Sequence, residues 1–257
     1  MTGAQAAERV DARRWFYHWM ALACLAVTLV GFLPTYFVPI AQGTLAREPM
    51  VHLHGLLFFA WIVFFCWQTW LAAMGRVTGH REWGMVGVGL AAAMAFSVIT
   101  VDAVRLNQTP AEPPIFAMIH LSGILFFETC VVAALASVRR PEVHKRFMLL
   151  ATISLLGAPI GRWWGVLLGL SGGPASAASS LPSLDAGTLL LVTFGPPLSA
   201  AAVGAVAVAF DWSTRRRVSP IYAAGLPIYV VMSPVGAAIA ATPAWLAVVD
   251  WIKHLGG

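Results

Sequence analysis

Five of the seven histidines in this 257-residue chain stand at the ends of long apolar runs. His52 and His54 open the run that ends at Met74, and His80 lies in the short polar turn behind it. The pattern then recurs, with His120 early in another run and His144 in the basic turn that follows. Histidine is costly inside hydrocarbon, so one placed in or beside a spanning helix marks a functional site by default. Two axial imidazoles from facing helices are what a six-coordinate haem iron takes, and helix bundles build such pockets in their cores. Two pairs, one per leaflet, would let an electron cross a bilayer. His52, His54 and His120 also form a donor set suited to copper or zinc. Residues two apart on a helix point roughly 200° apart, so either His54 alone is a ligand or the segment is partly unwound.

Three charges accompany the histidines within apolar runs: Asp102, Glu128 and Arg162. Arg162 follows His144 by eighteen residues, five full turns, so the two share a face of one helix. Asp102 lies within about 40° of the His80 face on its own helix. An Asp102–Arg162 ion pair is therefore one expectation. The other is that Arg162 holds a haem propionate or an anionic substrate with its bidentate fork. Glu128 reads as a proton relay or as a protonated structural carboxyl. His18, amid Trp15, Tyr17 and Trp19, reads as an interfacial anchor. His80-Arg81 and His144-Lys145-Arg146 read equally well as snorkelling residues that meet lipid phosphate.

The elements that must position these residues are membrane spans. The chain is 59% hydrophobic and only 11% charged, where soluble domains carry about 25% charged residues. It is therefore expected to be all-α and polytopic, with about seven transmembrane helices and a four-helix histidine-bearing core. The spans fall roughly at 16–39, 51–74, 83–104, 114–138, 147–170, 188–210 and 221–241. The net charge of +5 resides in short loops, so it points to topology and lipid contact, not to nucleic acid. Twelve of the sixteen basic residues fall in the N-terminal tail and the turns 75–82, 139–146 and 211–220. The positive-inside rule then puts the N-terminus in the cytoplasm of a bacterial inner-membrane protein. Cys24, Cys66 and Cys130 all lie in apolar runs, so no disulfide framework or thiolate metal site is indicated.

The organisation expected is a five-helix region over 1–170 and an external flexible loop over 171–187. Two proline-kinked helices and an interfacial tail follow over 188–257. Pro196, Pro197, Pro227 and Pro234 interrupt the last two spans, which carry no ionisable group in their cores. Trp245 and Trp251 have the spacing of an interfacial helix.

The inside–outside alternation resembles that of the two-haem transmembrane cytochromes b of the 561 type, whose four ligands lie on four consecutive helices. The stretches GHREWGMVGV and HKRFMLLATISLLGAPIGR are similar to uncharacterised bacterial membrane proteins thought to share that bundle. The resemblance covers roughly residues 50–170. It implies that His54 pairs with His120 outside and His80 with His144 inside, around one or two haems b. One difference is depth, because His80 and His144 sit at the mouths of their helices. The function implied is electron transfer between quinol or a small reductant and an acceptor, by a membrane oxidoreductase. A copper- or zinc-binding protein and a proton-coupled transporter or assembly factor are the alternatives. Lipid and a second copy of the chain complete the expected partners.

Overall fold

The computed structural model describes residues 3–45, 48–107, 114–168 and 186–255. The described residues form ten α-helices and one π-helical turn, with no strand among them. Seven stretches are long and apolar enough to cross a membrane: Arg14–Ala41, Pro49–Ala73, Val77–Leu106, Pro114–Ala136, Pro141–Leu167, Leu190–Arg215 and Pro220–Ala240. The protein is a multi-pass, all-α membrane protein. Leu56, Met85, Phe96, Leu125 and Leu167 stand exposed on its outer faces, as lipid contact requires. Trp61, Phe127, Met94, Leu149, Leu150 and Ile153 fill the interior, each fully buried.

The first span is α1 (Gly3–Phe32), a π-helical turn (Leu33–Phe37) and α2 (Val38–Ala41). Pro34 cannot donate to the carbonyl four residues back, Val30, which would otherwise be left unpaired. The Trp163 indole N–H takes that carbonyl at 3.0 Å. Spans two and three are α3 (Pro49–Ala73) and α4 (Val77–Leu106). Gly75, at φ +72°, closes α3. This is the left-handed position that favours glycine, and the Arg76 N–H returns to the Leu71 carbonyl at 2.9 Å. The turn is so short that α4 runs straight back along α3. The fourth span is α5 (Pro114–Ala136), and Pro141 begins α6 (Pro141–Ser154) after another tight turn.

The fifth span is broken. Between α6 and α7 (Gly157–Leu167), Leu155 and Leu156 make three-residue contacts to Thr152 and Ile153. Pro159 explains the position, because its ring clashes with the carbonyl four residues back, that of Leu155. Spans six and seven, α8 (Ala186–Arg215) and α9 (Pro220–Ala240), are each a single helix carrying their prolines inside. They pack on α5, α6 and α7, so both parts of the chain form one bundle. The loop expected over 171–187 lies outside the described residues up to 185.

The last helix, α10 (Pro243–Leu255), is shorter than a span. Its inward stripe is Trp245, Val249 and Ile252, all buried, and it packs against α4 and α5. The Trp245 indole donates to the Pro114 carbonyl at 3.0 Å. Asn107 Nδ2 donates to the Lys253 carbonyl at 2.8 Å. Only Trp251 of the two tryptophans is exposed; Trp245 is a packing residue rather than an interfacial anchor.

Candidate functional site

The antiparallel spans sort the histidines into two groups at opposite ends of the bundle. At the end with the basic turns, His80 stands in the first turn of α4 and His144 in the first turn of α6. Each reaches back across its tight turn to the helix before it. The His80 Nδ1–H donates to the Gln68 carbonyl at 3.3 Å, and the His144 Nδ1–H donates to the Ala134 carbonyl at 2.9 Å. A carbonyl can only accept, so the proton sits on Nδ1 and Nε2 keeps its lone pair. The two rings meet edge to face, centroids 6.2 Å apart and planes at 88°. With metal–nitrogen bonds of about 2 Å, imidazoles on opposite sides of one ion have centroids roughly 6 Å apart. Gln68, only 6% exposed, carries both atoms of its side-chain amide buried without a hydrogen-bond partner.

The other end holds His54 on α3 and His120 on α5. His54 Nδ1 lies 3.0 Å from Ser97 Oγ, whose own hydroxyl donates to the Met94 carbonyl at 2.8 Å. The imidazole is therefore the donor here too. The His120 Nδ1–H donates to Asp102 Oδ1 at 2.7 Å. Metal-binding histidines almost always give their second ring N–H to a carbonyl or carboxylate. All four histidines have that arrangement or its hydroxyl equivalent.

A flat macrocycle also needs room beside the helices that ligate it. Gly84, one turn beyond His80, and Gly123, one turn beyond His120, have nothing within 4 Å of where a Cβ would stand. The imidazole nitrogens are of the kind haem iron takes, and these two glycines leave local space beside their helices. The centre between the groups is packed solid. Trp61 and Phe127, each seven residues from a histidine on its own helix, meet edge to face at 4.8 Å. The Trp61 indole donates to Thr152 Oγ1 at 3.3 Å.

Other expectations fare differently. Asp102 does not serve Arg162; its hydrogen bond goes to His120. The fifth span is broken at Leu155–Leu156, so Arg162 does not keep the phase that an unbroken helix would share with His144. Its guanidinium lies over the Phe32 ring, 4.1 Å from the centroid, and donates to the Ala158 carbonyl at 2.7 Å. His52 turns to the Tyr36 hydroxyl at 2.9 Å. No three His, Cys, Asp or Glu converge as a metal-binding group among the described residues. His18 is not merely interfacial, because its Nδ1–H donates to the Cys66 carbonyl at 3.2 Å and ties α1 to α3. Glu128 Oε1 is buried with no hydrogen-bond partner.

The sequence reading missed a second buried ionic group. Arg146, 4% exposed, makes a bidentate pair with Asp211, 1% exposed, at 3.0 and 2.5 Å. Arg146 also bonds Glu142, which Lys145 and Arg215 bond in turn. Asp211 was placed in a loop, just past a sixth span expected to end at 210. Two acid–base pairs at four-residue spacing, Glu142/Arg146 and Asp211/Arg215, were the available signal. They lie at the same end of adjacent spans.

No family model matches the chain, and no curated protein or solved structure matches it. Fold and site together define a class: a seven-span helical membrane protein with two histidine groups, one at each end of its bundle.

Proposed function

We propose that the chain is a b-type cytochrome of the bacterial inner membrane, with its N-terminus in the cytoplasm. It passes electrons between quinol or a small reductant and an acceptor. One observation carries the reading: the His80 and His144 rings lie edge to face with centroids 6.2 Å apart, each anchored through Nδ1, which leaves Nε2 as the acceptor nitrogen. Snorkelling residues that met lipid phosphate would turn to the headgroups, and these turn to the bundle. His54 and His120, with Ser97 and Asp102 behind them, form the second ligand pair. Haem would supply a one-electron couple when bound, and the ring nitrogens of His80, His144, His54 and His120 would hold and orient it. The resemblance to the 561-type cytochromes supports the same reading through the layout of its four histidines.

The test is optical. Protein purified from cells supplied with haem precursor should show a Soret band and a dithionite-induced α-band. A colourless protein that instead retains copper or zinc would move the assignment to a metal site at His54 and His120.

A further inference from the structure

Among the four histidines of the two groups, one differs in what stands behind it. His80 and His144 are backed by peptide carbonyls and His54 by a hydroxyl, all neutral acceptors. His120 alone is backed by a carboxylate. The Asp102 side chain is 0% exposed, and its second oxygen, Oδ2, is buried without a hydrogen-bond partner. Burying a carboxylate is expensive, whereas asparagine or serine at this place would accept the same N–H without a charge. That a carboxyl stands here, where an amide or a hydroxyl would serve, is therefore the feature to be explained. α10 packs over this end of α4, where Ala103 and Leu106 meet Trp245, Val249 and Ile252.

We infer that Asp102 is a positioning residue that sets the redox poise of the site formed by His54 and His120, acting through His120. The inference rests on the haem reading above. The carboxylate fixes the His120 proton on Nδ1 and gives the ring partial imidazolate character. Its Nε2 becomes a stronger donor than any of the other three and favours the oxidised, more positive iron. No such carboxylate backs His80 or His144, so the two sites differ in poise.

The experiment has two arms. In haem-free protein, ¹⁵N NMR of His120 should show a proton on Nδ1 and a bare Nε2. A proton on Nε2 would overturn the inference whether or not haem binds. In haem-loaded protein, redox titration resolves the component that His120→Ala removes from the one that His80→Ala removes. Asp102→Asn and Asp102→Ser, neutral acceptors of different size, should shift the first component toward the reduced form. Outer-shell partners of metal ligands are typically worth about 10–100-fold. At about 59 mV per tenfold for one electron, the expected shift is roughly 60–120 mV. The second component should stay where it is. A variant that retains both haems with no shift, or with equal shifts in both, overturns the assignment. If wild-type protein binds no haem, the cytochrome reading falls, and the NMR arm alone decides whether Asp102 sets the state of His120.

Discussion

At the scale of single residues, the four histidines separate by partner, and each group should be removable on its own. His54→Ala and His120→Ala should abolish one and the same spectral component, since loss of either axial nitrogen leaves five-coordinate or empty iron. His80→Ala and His144→Ala should abolish the other. An unchanged spectrum in His80→Ala would mean a single haem and a different role for the facing pair. Room beside the ligands can be tested apart from ligation. Gly84 has open space at its Cβ position, so Gly84→Leu should fold normally yet lose the component that His80→Ala loses. Normal haem content in Gly84→Leu would place the macrocycle elsewhere.

At the scale of elements, the tightest joints are where proline breaks a span and where charge is buried between helices. A Cβ on Gly31 would come within 2.3 Å of Pro159 Cβ and 2.7 Å of its backbone carbon. Backbone cannot swing aside, so Gly31→Ala should cost about 1–3 kcal/mol, the usual range for overpacking. A melting temperature in detergent indistinguishable from wild type would show that α1 and α7 slide freely. The Arg146–Asp211 pair ties α6 to α8 two residues beyond His144. Asp211→Ala leaves the buried guanidinium with Glu142 as its one carboxylate partner, so the loss should fall below the roughly 3–5 kcal/mol of a fully stranded charge. Replacing both partners, Arg146→Met with Asp211→Leu, should restore folded yield, because hydrophobic residues of similar volume are well tolerated there. Failure of the double variant alone would assign the pair a function beyond docking α6 on α8.

At the scale of the whole molecule, the charge distribution gives a prediction about sidedness. The basic turns between spans two and three, four and five, and six and seven all lie at the end holding His80 and His144. The positive-inside rule predicts that this end is cytoplasmic. A cysteine introduced within 171–185, in protein whose own Cys24, Cys66 and Cys130 are buried, should react with an impermeant maleimide in intact cells. Labelling only after permeabilisation would exchange the sides of both histidine groups.

The number and position of the spans were legible in the sequence, because hydrocarbon demands about twenty apolar residues at a stretch and tolerates few charges between. Short turns between them made neighbours antiparallel, and that alone put His54 with His120 and His80 with His144 at common ends. Asp102 and His120 were within reach of the same logic, lying at similar depths on consecutive spans. Rotation was not legible. A proline at 159 resets the phase of everything after Leu155, so the partner of Asp102 could be found only once α4 and α5 were packed. The same holds for Gln68, Ser97 and Ala134, whose parts depend on which atoms a neighbouring helix presents. Nor could the sequence show that Asp211 and Arg146, 65 residues apart, meet in the interior. Hydropathy reports how deep a residue lies; which way it faces is settled by the packing of helices that are distant in the chain.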